Sequence, residues 1–124
     1  MYKLAVKKDF IAQHFLFGGD WGLENQLHSH HYRLEVQLAG KTLDSHGYLV
    51  DIVKVKEYLE KLTSDYRDRT LNDLSEFKGL NPSIENLAYI SHRSLSHSMV
   101  DFGISELIVR VWEDDIASVA YQEE

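Results

Sequence analysis

The sequence predicts an α+β fold, an antiparallel four-stranded sheet with two helices on one face, in the order ββααββ. Three observations carry this. Apolar and polar residues alternate near both ends of the chain, as half-buried strands require, and apolar residues recur at helical spacing in two stretches between them. No repeat, low-complexity tract or linker divides the 124 residues. Residues 1–124 therefore read as a single domain. Its 44% hydrophobic content suffices for one core, and a chain this short gains from association with copies of itself.

The first strand covers Tyr2 to His14 and places Leu4, Val6, Lys8, Phe10, Ala12 and His14 on one face. Gly18-Gly19-Asp20-Trp21-Gly22 is loop by composition. The second strand runs from His28 to about Ala39, with His28, His30, Tyr32, Leu34, Val36 and Leu38 on one side and His31, Arg33, Glu35 and Gln37 on the other. Turn residues follow, with Asp44-Ser45-His46-Gly47 as the loop. Asp51 is a good N-cap for a helix of about three turns whose apolar face is Ile52, Val55, Leu59 and Leu62, with Glu57 and Lys61 paired on the outer face. Ser64 to Lys78 reads as a connection with a short turn of helix. Asn81 as cap and Pro82 in the first turn open the second helix, with Ile84, Leu87, Ala88, Ser91 and Leu95 as its apolar face. From Ser105 the period returns to two, with Leu107, Val109, Val111 and Glu113 on one face. Asp114-Asp115 is a turn, and Ile116 to Gln122 is the last strand.

Composition excludes several functions. A net charge of −7 argues against general nucleic-acid or anionic-membrane binding, which need a basic surface. No apolar run is long enough for a membrane span and no basic-then-apolar leader is present, so a cytoplasmic location is the default. Zero cysteines remove disulfides, thiolate metal sites and cysteine nucleophiles together.

Histidine placement carries the chemistry. His28 and His30 leave the apolar face of one strand together, and His14 ends the apolar face of the preceding strand. If those strands pair antiparallel, the three imidazoles meet. Three neutral imidazoles leave a fourth position of zinc open, the arrangement of a catalytic site. On spacing alone the alternative is a polar strand end rich in histidine. Glu113 poses a similar choice, since it ends an apolar strand face where a carboxylate either has a partner or has emerged into solvent.

Ala12-Gln13-His14 and Leu27-His28-Ser29-His30-His31-Tyr32 resemble the zinc motif of the 6-pyruvoyl-tetrahydropterin synthase and 6-carboxy-tetrahydropterin synthase family, an Ala-Ala-His followed by His-Gly-His-Asn-Tyr. Ser29 and His31 replace residues that are not zinc ligands there. Val111-Trp112-Glu113-Asp114 is similar to the family's Val-x-Glu-Thr, and Asn81-Pro82-Ser83-Ile84-Glu85-Asn86 to its Asn-Pro-Thr-x-Glu-Asn. Leu71-Asn72 and Val50-Asp51-Ile52 match shorter segments, so the resemblance covers nearly the whole chain.

The resemblance implies a tunnelling fold in which subunits join their sheets into a barrel, here a homo-hexamer with active sites at subunit interfaces. It implies zinc held by His14, His28 and His30, and a pterin ring gripped by Glu113, with Ser83 as the nearby hydroxyl. A carboxylate suits that role because it accepts two parallel N–H bonds from the amino-pyrimidinone edge. Two departures fall on the chemistry. The bacterial members' catalytic cysteine, four residues before the first histidine of the pair, is Glu24 here, as in a subgroup linked to release of 6-hydroxymethyl-dihydropterin. The family's proton-relaying Asp-His pair aligns with Arg67 and Asp68. Glutamate is ordinarily a weak base near neutrality, so Glu24 would lean on zinc to acidify the substrate.

The leading expectation is thus a zinc-dependent lyase acting on the small-molecule pterin 7,8-dihydroneopterin triphosphate. A catalytically disabled zinc- and pterin-binding homologue is the alternative. Lys7, Lys8, Arg67, Arg69 and Arg93 are candidates for phosphate contacts by charge alone, and His46, His92 and His97 read as surface residues.

Overall fold

The computed structural model describes residues 1–124. Strand β1 (Tyr2–His14) pairs antiparallel with β2 (His28–Gly40), β2 with β3 (Glu106–Glu113), and β3 with β4 (Ala117–Tyr121), so the sheet order is β1-β2-β3-β4. Helices α1 (Ile52–Tyr66) and α2 (Ile84–Ser98) lie between the two hairpins in sequence and pack on one face of the sheet. The fold is the predicted α+β arrangement, a four-stranded antiparallel sheet with two helices on one face. No helix is long and apolar enough to cross a membrane.

The core forms where the strand alternation meets the two helical stripes. Phe10, Ala12, Tyr32, Leu34, Val36, Leu38, Val109 and Val111 on the sheet close over Val55, Leu59, Leu62 and Tyr66 of α1 and Leu87, Ala88 and Leu95 of α2. Burying a side chain of this size stabilises by roughly 1.5–3 kcal/mol, so this interface dominates the driving force. The opposite sheet face is polar. There Arg33 bonds Asp9 at 3.0 Å, and its guanidinium lies over the Trp112 ring, which Arg110 also approaches.

Several local expectations need correction. Asp51 does cap α1, accepting from Val53 N at 2.9 Å, but the helix runs on to Tyr66, so its stripe gains Thr63 and Tyr66, while Ile52 in the open first turn is 42% exposed. Glu57 lies 3.7 Å from Lys54 instead of pairing with Lys61. The connection to α2 does hold short helical structure, as expected, in two 3-10 turns, Leu71–Asp73 and Ser75–Phe77, which bury Leu71 and Phe77. Ser83, not Asn81, caps α2, accepting from Asn86 N at 3.2 Å. The last strand is shorter than expected and leaves Ile116 outside it. His92 is buried, its ring nitrogen donating to Leu107 O at 3.0 Å, because it lies on the α2 face turned to β3 and β4.

Candidate active site

Strand register brings the three histidines together. His14 stands opposite His28, and Ala12 opposite His30, all on the helix-covered face. The small, fully buried side chain of Ala12 leaves room beside His30. The His14 and His28 Nε2 atoms lie 3.0 Å apart, and those of His28 and His30 2.8 Å apart. His31 points to the other face and bonds Asp9 at 3.2 Å.

The second ring nitrogen of each histidine decides what this cluster can hold. His14 Nδ1 faces Pro82 O at 2.9 Å, His28 Nδ1 faces Gln26 O at 2.6 Å, and His30 Nδ1 bonds the Asp114 carboxylate. Carbonyl and carboxylate oxygens only accept, so each Nδ1 donates and Nε2 is the nitrogen that each ring turns toward the other two. Three imidazole nitrogens converging at this distance can share one metal ion. This donor set fits zinc, with its three imidazoles and a carboxylate nearby. Burial holds the His14 imidazole below its ordinary pKa, which favours the neutral ligand form; the Pro82 bond opposes this more weakly.

Glu24 stands at the open side of the cluster. Its Oε2 is 2.7 Å from His28 Nε2, 3.7 Å from His14 Nε2 and 3.8 Å from His30 Nε2. It occupies a short 3-10 turn, Gly22–Asn25, in the β1–β2 connection, which three asparagines hold in place. Asn72 and Asn81 each clamp a backbone residue with both amide atoms: Asn72 binds Phe15 N and O at 3.0 and 2.9 Å, Asn81 binds Phe17 N and O at 2.8 Å each. Asn25 ties Leu16 O and Gly19 O to Trp21 N, and Leu16 N donates to Glu24 O at 2.8 Å. The connection is thus pinned from the segments that precede α2.

Glu113 pairs with Tyr32 across β2 and β3, and its Oε1 lies 3.5 Å from His30 Nε2. Burial raises the pKa of its carboxyl, helped by the nearby Glu24 and Asp114 and opposed by His30. An open cleft of about 370 Å³ lies beside the cluster, lined by His14, Leu16, Trp21, Glu24, Asn81, Ser83, Ile84, Glu85 and Glu113. All six predicted site residues therefore converge: His14, Glu24, Ser83 and Glu113 line the cleft, and His28 and His30 complete the cluster. Ser83 spends an oxygen lone pair on the α2 cap, which leaves its hydroxyl hydrogen free to donate.

The basic candidates lie elsewhere. None of the five lines the cleft, and Lys8 and Arg67 both pair with Glu60. Sequence reasoning also missed three site residues. Gln26 and Pro82 act through backbone carbonyls, which side-chain patterns do not reveal, whereas Asp114 reads only as a turn residue in place of a threonine.

The comparisons with known proteins agree with this architecture. The sequence model described as 6-pyruvoyl tetrahydropterin synthase matches residues 3–124. The chain is 29% identical over 110 residues to 6-pyruvoyl tetrahydrobiopterin synthase of Dictyostelium discoideum, covering 80% of this chain and 82% of that protein. Its fold is similar to that of 6-pyruvoyl tetrahydropterin synthase of Caenorhabditis elegans, with a TM-score of 0.89 at 22% identity over 99% of this chain and 96% of the other. It is also similar to a Plasmodium vivax 6-pyruvoyltetrahydropterin synthase variant in which a catalytic glutamate is changed to cysteine, with a TM-score of 0.79 at 15% identity over 98% and 97% of the two chains.

Proposed function

The chain belongs to the 6-pyruvoyl tetrahydropterin synthase family, and we propose that it is a zinc-dependent lyase converting 7,8-dihydroneopterin triphosphate to a 6-substituted pterin, 6-hydroxymethyl-dihydropterin or 6-carboxy-tetrahydropterin. The observation that carries this reading is the convergence of three Nε2 atoms with Glu24 and Glu113 at one end of a cleft.

His14, His28 and His30 would hold the zinc. Bound there, zinc would supply Lewis acidity to the substrate's side-chain hydroxyls and so acidify the adjacent C–H. Glu113 accepts two N–H bonds from the amino-pyrimidinone edge and fixes the ring. Those donors offset the desolvation that raises the Glu113 pKa. Ser83 donates its free hydroxyl hydrogen to the ring, and Glu24 takes the proton from the acidified carbon. A catalytic glutamate in the Plasmodium vivax protein supports this role for Glu24. Which carbon substituent then leaves decides the product.

The assembly we infer is a homo-hexamer with sites at subunit interfaces. Two observations support it: β4 is an open sheet edge and β1 is open except near its end, where Ile11 and Gln13 bond Asp68 and Arg69, and the cleft carries acidic side chains but no lysine or arginine, so cations for a triphosphate must come from beyond its lining.

One observation favours a second reading, a zinc- and pterin-binding homologue without turnover. Where the family relays protons through Asp-His, this chain has Arg67, turned to Glu60, and exposed Asp68. Metal analysis of the purified protein together with chromatography of pterins released from 7,8-dihydroneopterin triphosphate decides between them. One zinc per chain with turnover supports the enzyme. One zinc and dihydropterin binding without turnover supports the homologue, and wild-type protein that binds no zinc refutes both.

A further inference from the structure

Asp114 does more than turn the chain between β3 and β4. Its side chain reaches back to the first residues of β2, where one carboxylate oxygen accepts from His30 Nδ1 and the other from His31 N at 2.9 Å, while its own N–H donates to His31 O at 2.7 Å. Both Asp114 and Asp115 adopt left-handed backbone, φ 54° and 57°, which turns the hairpin so that this side chain lies over β2. The other two cluster histidines are held by neutral backbone carbonyls, so His30 alone has a charged acceptor behind it.

We propose that Asp114 is a positioning residue for metal binding: it locks His30 as the Nδ1–H tautomer, aims its Nε2 into the cluster and strengthens that nitrogen as a ligand. The inference rests on the zinc reading of the cluster. A carboxylate behind a metal-binding imidazole fixes the ring and increases the electron density at the ligating nitrogen, which a neutral hydroxyl or amide does less well. In this chain the strength of the metal site therefore depends on the β3–β4 turn, which begins directly after Glu113 at the end of β3.

The test is zinc affinity of the full chain, measured by competition with a chromogenic chelator, for wild type, Asp114→Asn and Asp114→Ala. Asparagine tolerates left-handed backbone and keeps the shape, so it isolates the charge. Affinity should fall about 10-fold for Asp114→Asn and up to about 100-fold for Asp114→Ala. Nitrogen NMR of the metal-free protein should show His30 protonated at Nδ1 in wild type and a mixture of tautomers in Asp114→Ala. Asp115→Asn alters the same turn without touching His30 and should keep wild-type affinity. Unchanged affinity in both Asp114 variants, with zinc bound by wild type, overturns the inference and leaves the zinc reading intact. An equal loss in Asp115→Asn overturns it too, since the turn would then act only as scaffold. Wild type that binds no zinc removes both.

Discussion

Glu24 and Glu113 are two carboxylates on either side of one histidine cluster, and their surroundings separate them. Glu113 is the more enclosed, with its side chain 26% exposed against 43% for Glu24, and burial favours its neutral form. In the proposed mechanism Glu113 grips a ring that brings its own donors, and the more exposed Glu24 moves a proton. Glu24→Gln keeps shape but loses the proton acceptor, so turnover should fall at least about 100-fold with zinc content and pterin binding near wild type. Steady-state rates set beside metal analysis check it, and equal rates would refute the role. Glu113→Gln puts an N–H donor against the donors of the ring, so dihydropterin affinity should drop about 10-fold or more while zinc stays bound. Calorimetry reads this directly. The three histidines and Glu113 were legible because strand alternation fixes which face a side chain leaves, and His14, His28, His30 and Glu113 all fall on the apolar face. Glu24 had no such signal, because a loop has no period, and only its resemblance to the family position pointed to it.

Caps and clamps decide how the elements meet. Asp51 was readable as the α1 cap because its capping bond, to Val53 N, is local. Asp51→Ala should lower stability by about 1 kcal/mol, a few degrees in Tm, without changing zinc affinity, as calorimetry of the metal-free and loaded forms would show. At α2 local logic chose the wrong residue. Asn81 is a better cap by propensity than most, but its amide is committed to Phe17, across the chain, so the cap falls to Ser83. The same segment that opens α2 thus supplies the Pro82 carbonyl to His14 and holds the connection that carries Glu24.

At the scale of the molecule, the sheet and helices enclose two tyrosines whose phenols burial keeps neutral. Tyr32 and Tyr66 both have raised pKa values, Tyr66 pushed up to about 12 chiefly by burial. In the unfolded chain each ionises near 10, so their contribution to stability is complete below about pH 10 and is lost as pH rises through the folded values. For Tyr66 the shift amounts to about 2 to 3 kcal/mol. Tyr66→Phe should therefore flatten the fall in urea midpoint between about pH 10 and 12, although its stability at neutral pH also reflects the lost hydroxyl. An unchanged alkaline slope would mean that Tyr66 ionises as easily in the fold as outside it.

By itself the sequence determined the element order, the sheet's apolar face and the meeting of three imidazoles, because side-chain direction on strands and helices repeats with a short, local period. Only the tertiary structure decided the rest. The partner of His30 is Asp114, 84 residues away, and that of His14 is Pro82, 68 residues away. Glu24 is aimed by asparagines from segments outside its own loop, and His92 is buried by strands that follow it. Such contacts depend on how distant segments close around a shared core, where the choice among polar partners is made by position in space and leaves no period in the chain.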